Sequence, residues 1–160
     1  MTFSAVNIAA TAGILGSTWI TGGIMNMSTL AIPALLAATL PPQAVATQWN
    51  FLFERGKATM PPTAVASLLG YAYLAYDAHA RGQGWKGYAA AGLLTVSIVP
   101  FTLIVLDPTN RALTAVANGS IKLLGEEGTK VLLQKWARIN FFRSLLTLSG
   151  SLIGFWSLLG

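Results

Sequence analysis

Cysteine is missing from this chain altogether, and histidine occurs once, at His79. Without thiols, disulfide staples, thiolate metal sites and any thiol relay for quinone reduction are excluded. A single imidazole cannot assemble the usual zinc or haem ligand sets, so chemistry that needs a tightly held metal is not expected, while a carboxylate-bound ion or a loose ligand stays open. Charge is scarce as well: Asp, Glu, Lys and Arg make up 9% of 160 residues, and none of them lies between Met1 and Phe53. A cleavable signal peptide normally starts with a positive segment, so the first apolar stretch is expected to remain in the mature protein.

What is abundant is apolar. Hydrophobic residues make up 54% of the chain and the mean hydropathy is +0.60, whereas a soluble domain has roughly 45–50% apolar and 25% charged residues. The chain reads as an integral membrane protein. No polar linker or internal repeat divides it, which favours one domain. The net charge is +5, but the basic residues fall between apolar segments, where headgroup attraction and orientation account for them; nucleic acid is not an expected partner.

A bilayer core about 30 Å thick takes about 20 apolar residues of helix. Four stretches qualify, at about 7–32, 60–78, 88–106 and 139–158, giving an all-α, integral membrane four-helix bundle in a single domain over 1–160. Pro33 and then Pro41-Pro42 are expected to kink or end the first segment, and Pro61-Pro62 to start the second. Tyr71, Tyr73, Tyr76, Trp85 and Tyr88 bracket the second-to-third turn as an interfacial belt would. Loops 41–60 and 107–138 then share one side with Arg55, Lys57, Arg111, Lys122, Lys130, Lys135 and Arg138, against Arg81 and Lys86 on the other. The positive-inside rule puts both termini away from the cytosol, lumenal in the endoplasmic reticulum or a derived membrane if the cell is eukaryotic. Within the long third loop, Ala112–Leu124 reads as a connector on the headgroups or a short surface helix.

Polar residues near lipid are costly unless they meet a neighbour or a cavity. Thr18, Gly22, Asn26 and Thr29 form one stripe on the first span, with Ser28 beside them, a pattern that also serves ordinary helix packing. The run QKWARINFFRS puts Trp136, Asn140 and Arg143 on one helical face. Arg143 there either snorkels to the interface or meets an anionic partner or ligand. Residues 99–110, VPFTLIVLDPTN, end an apolar run in Asp107, Pro108, Thr109 and Asn110, which reads as a helix stop or as the lining of a site. The four-span topology brings these residues to the side holding Trp49, Arg55, Trp136, Asn140 and Arg143. His79, and Glu126-Glu127 between glycines, read as solvated loop residues on the surface.

In Gly23–Pro33 (GIMNMSTLAIP), Trp49 with Phe53-Glu-Arg-Gly, Pro100-Phe-Thr followed by Pro108-Thr-Asn, and Trp136 with Asn140 and Arg143, the chain resembles the DUF1772 membrane family, which includes fungal anthrone oxygenases of polyketide gene clusters. The resemblance implies a small four-helix membrane protein that oxidises an anthrone to an anthraquinone with O2 as co-substrate and no cofactor. An anthrone's ring methylene is acidic because its anion is an aromatic enolate, which can pass an electron to O2 directly. The protein would bind a flat lipophilic polyphenol, remove a proton and stabilise negative charge. In that frame Trp136 and Trp49 stack the rings, Thr102 adds to the binding surface, Arg143 with Asn140 and Asn110 holds the enolate or peroxide oxygen, and Arg55 takes a phenolate or acid substituent. The base is Asp107, or a water held by Asn110 and Thr109, with His79 disfavoured by topology. A cyclase or isomerase of a lipophilic intermediate, or a non-catalytic membrane carrier or assembly partner, remain alternatives. Contact with membrane lipid is expected, and homo-oligomerisation stays open.

Overall fold

The computed structural model describes residues 4–120 and 125–160. Among them, all regular structure is helical, in four long runs. The first runs through α1 (Ala5–Asn26), a π-helical segment (Met27–Ala31) and α2 (Ile32–Ala37). A single continuous helix, α3 (Pro42–Ala80), is the second. The third comprises α4 (Lys86–Val96), α5 (Ile98–Phe101), another π-helical segment (Thr102–Leu106) and α6 (Asp107–Ala117). The fourth is α7 (Gly125–Leu159).

Three runs, Ala5–Ala37, Lys86–Ala117 and Gly125–Leu159, are long and apolar enough to cross a membrane among the described residues. Four were expected. The stretch 60–78 falls short because Pro61, Pro62, Thr63, Ser67 and three tyrosines dilute its aliphatic residues.

Prolines behave differently from the sequence-based expectation. Pro61-Pro62 does not begin a helix but lies within α3. Pro33 does not end the first run, and Asp107-Pro108-Thr-Asn is not a helix stop, since α6 starts there and continues to Ala117. At Pro33 and Pro108 the same device carries the chain through: a π-helical segment whose last residue, Ala31 or Leu106, lies two positions before the proline. A proline lacks its own N–H and its ring collides with the carbonyl four residues back. Widening the preceding turn relieves that collision, as the bond from the Ile32 N–H to the Met27 carbonyl, five residues back, illustrates. The helix therefore bends its register instead of stopping.

Two compact units divide the chain. One comprises 4–22, 59–99 and 144–160 of the described residues. Its apolar core gathers Ala9, Ala10, Tyr71, Leu74, Ala78, Tyr88 and Ala91. Small residues let its helices approach closely: a Cβ on Gly70 would stand 2.6 Å from the Ala9 carbonyl oxygen. Buried hydroxyls then link them, with Ser17 and Tyr71 at 2.9 Å, Ser151 donating to Ser17 at 2.9 Å, and Thr21 donating to Thr147 at 2.8 Å. Close packing and such bonds hold helices together where lipid removes the hydrophobic drive. His79 is exposed in the last turn of α3, its ring edge-on to Trp85 at 5.7 Å. Gly82, at φ +71°, closes that helix by letting Gln83 donate back to the Ala78 carbonyl.

The other unit comprises 23–58 with 100–120 and 125–143 of the described residues. Its core holds Ile32, Val45, Trp49, Leu106, Leu113, Leu133 and Trp136. Glu126 and Glu127, expected in a loop, occupy the exposed first turn of α7, where their charge suits the helix N-terminus. Of the stretch 112–124, expected as a headgroup connector or a short surface helix, the part to Ala117 is helical and belongs to α6. Lys122 and the rest of 121–124 lie outside the described residues.

Gly70→Ala should lower the stability of the detergent-solubilised protein by about 1–3 kcal/mol, the usual cost of overpacking a tight contact. Gly22→Ala, with nothing within 4 Å of the new methyl, should leave the melting temperature nearly unchanged. A thermal melt of the two variants beside the parent checks both.

Candidate active site

The face of α7 that carries Trp136, Asn140 and Arg143 supplies the polar groups in the interior of the second unit. Trp136 is 2% exposed and Asn140 0%, so each needs a partner from within the protein. Trp136 Nε1 donates to Asn110 Oδ1 at 2.7 Å. Asn140 Nδ2 donates to Ser28 Oγ at 2.8 Å and to the Ile24 carbonyl at 3.1 Å. Arg143 Nη1 donates to Thr102 Oγ1 at 2.6 Å.

The two π-helical segments explain where those hydroxyls come from. Ser28 lies in the first and Thr102 opens the second. In a regular α-helix, positions four apart drift about 40° with each step. The widened turn takes up that drift, so Ile24, Ser28 and Ile32 are all buried. Both π-helical segments thus carry a hydroxyl that bonds to a residue of α7.

Three buried atoms in this unit have no hydrogen-bond partner among the described residues: Trp49 Nε1, Asn140 Oδ1 and Arg143 Nε. Leaving such a group unmade costs about 1–3 kcal/mol, and more for a charged one. No carboxylate among the described residues forms an ion pair with Arg143. Among the described residues, two donors, one of them charged, and one acceptor are thus left unmet in this unit.

The aromatic residues are engaged with each other. Trp49 stacks on Phe53 with centroids 5.1 Å apart and meets Trp136 edge-on at 5.6 Å. They form a wall of the unit's core, and the Trp136 ring is pinned by its bond to Asn110. Thr109 is buried beside Asn110 in α6. Two predicted site residues have other contacts: Asp107 pairs with Arg111 at 2.7 Å, and Arg55 is exposed with its guanidinium 5.2 Å from the Phe51 ring centroid. Within the described residues there is no group of three or more His, Cys, Asp and Glu side chains arranged to hold a metal ion.

On the first helical run the polar stripe expected from the sequence is not the buried one. Thr18, Gly22, Asn26 and Thr29 are exposed, while Ser17, Thr21 and Ser28 are buried. The adjacent stripe Gly13, Ser17, Thr21, Ile24 and Ser28 has equally regular spacing, and the proline five residues after Ser28 was the available signal for a turned helix.

Comparison with known proteins identifies the family. Residues 49–153 match the anthrone oxygenase family. An anthrone oxygenase of Paecilomyces divaricatus (AgnL2) is 36% identical over 156 residues, covering 94% of both chains. The anthrone oxygenase tpcL of Aspergillus fumigatus is 35% identical over 152 residues, covering 94% of this chain and 92% of its own. A noranthrone monooxygenase of Aspergillus flavus is 32% identical over 145 residues, or 88% of this chain and 69% of its own. No solved structure matches. The chain belongs to the anthrone oxygenase family.

Trp136→Phe keeps the ring but strips the N–H from Asn110, leaving a buried acceptor unmade. Its unfolding free energy should drop by about 1–3 kcal/mol, read as a lower melting temperature in detergent. A melt indistinguishable from the parent would mean that the 2.7 Å bond contributes nothing.

Proposed function

We propose that this protein is a membrane oxygenase that converts an anthrone-type polyketide to its anthraquinone with O2, through an enolate and without a bound cofactor. The observation that carries the reading is Arg143: a guanidinium in the second unit, held by Thr102 and, among the described residues, without a carboxylate and with Nε unmade. Such a group favours an anion in its place, and the enolate of an anthrone is one.

The reaction balances as anthrone plus O2 giving anthraquinone plus water. Removal of one methylene proton leaves the enolate, whose oxygen Arg143 stabilises. An electron passes to O2, the radical pair combines to a peroxide at the ring carbon, and loss of the second ring proton with cleavage of the O–O bond forms the new carbonyl. The Trp49 N–H is a further donor for the ligand's oxygens, and the Trp49–Trp136 wall sets the plane against which the rings lie. Thr102 positions Arg143, and Asn110 fixes Trp136. For the base, the pairing of Asp107 with Arg111 favours a water held by Asn110 and Thr109 as the first proton acceptor.

We read the chain as one domain with four spans, the fourth helix of the set being the 60–78 part of α3. The excess of Lys and Arg in 41–60 and 107–138 supports a cytosolic position for those segments and lumenal termini in the endoplasmic reticulum or a membrane derived from it. A lipophilic substrate then enters from lipid, where O2 is also more soluble than in water. Lipid contact and a homo-oligomer fit the same picture.

The test is oxygen uptake and quinone formation from dihydroxyanthrone by chelator-treated protein in detergent, with spontaneous oxidation subtracted. Uptake of one O2 per quinone is expected. Arg143→Ala should lower kcat/KM by about 10²–10³, the usual loss when an oxyanion donor is removed, with its helix content unchanged. Oxidation no faster than background in the parent protein would sink the proposal.

A further inference from the structure

Both N–H groups of the Asn140 amide are committed within the protein, to the Ile24 carbonyl and to Ser28 Oγ. Turning the amide over would set Oδ1 against that carbonyl, acceptor to acceptor, so the observed orientation is the stable one. Ser28 reinforces it. Its own proton goes to the Ile24 carbonyl at 3.3 Å, which leaves a lone pair for Asn140. What remains is Oδ1, buried and able only to accept.

The amide therefore differs in kind from Arg143, one helical turn further along, which can only donate. An enolate or carbonyl oxygen satisfies Arg143 and is repelled by Asn140 Oδ1. A neutral hydroxyl suits Asn140. We propose that Asn140 is a specificity-determining residue that accepts a hydrogen bond from a phenolic hydroxyl of the ligand, and that Ser28, turned inward by the first π-helical segment, is the positioning residue that holds Asn140 as an acceptor. The inference rests on the oxygenase reading of the same site and assigns its two polar ends to two differently charged oxygens of one substrate. A ring system with carbonyl oxygens alone leaves Asn140 unmade. One that also carries a phenol completes the set.

The experiment compares two redox-inert quinones, dihydroxyanthraquinone and unsubstituted anthraquinone, binding to the detergent-purified full chain by quenching of tryptophan fluorescence. Oxygen uptake with the two corresponding anthrones is measured alongside. The parent should favour the dihydroxy compound. Asn140→Ala should cut that preference about ten-fold, as expected when a hydrogen bond to a ligand hydroxyl is lost, mainly through weaker binding of the dihydroxy compound. Ser28→Ala should cut it several-fold and Ser28→Thr, which keeps a hydroxyl, should restore it. The Ser28 pair carries the test if Asn140→Ala does not fold. A preference unchanged in Ser28→Ala, or equal losses for both quinones, would overturn the assignment, because a purely structural role weakens both alike. Binding requires no turnover, so a variant-sensitive preference without oxygen uptake would uphold the acceptor and refute the oxygenase. Oxygen uptake with a variant-insensitive preference would do the reverse.

Discussion

An amide and a guanidinium one turn apart on a long apolar helix have to be met from inside the protein, because lipid offers no hydrogen bonds. Asn140 and Arg143 are met by Ser28 and Thr102, and much of the second unit follows from that requirement. Each hydroxyl comes from a π-helical segment, and each segment precedes a proline by the same interval. At both prolines the run continues through a widened turn, and each widened turn carries a hydroxyl bonded to α7. Trp136 and Asn110 complete the row of contacts along one face.

Satisfaction is incomplete, and the incompleteness has a sign. Among the described residues the unmade buried atoms are a charged donor, a neutral donor and an acceptor that share one unit of the fold. Helix packing alone does not call for a guanidinium that, among the described residues, pairs with no carboxylate. Chemistry that generates an anionic oxygen does, since the charge appears where a fixed donor already stands and little reorganisation is needed. The first unit shows the contrast. Its buried hydroxyls pair with one another and with helix carbonyls, as helix packing in a bilayer requires.

The helical class and the importance of α7 were legible in the sequence because both rest on simple periodicities. Trp136, Asn140 and Arg143 recur at offsets of four and three, and that spacing survives in any straight helix. Prolines were harder. A proline in an apolar run can stop, kink or widen a helix, and which outcome occurs depends on partners far away in sequence. From the sequence, 107–110 therefore reads as a helix stop or a site lining, whereas the helix continues through it, and Ser28 is placed beside the stripe of Thr18, Gly22, Asn26 and Thr29 although it is the buried one. Asp107 illustrates the remaining difficulty: its place four residues before Arg111 was visible, but the pairing that engages its carboxylate is a matter of side-chain geometry.

The most direct measurement is an experimental structure of the protein with an anthraquinone product bound. The account predicts the quinone in the second unit, with a carbonyl oxygen about 3 Å from the Arg143 guanidinium and the ring plane against the Trp49–Trp136 wall. A quinone bound among the hydroxyls of the first unit, or an Arg143 still turned wholly to the protein with the product elsewhere, would contradict it.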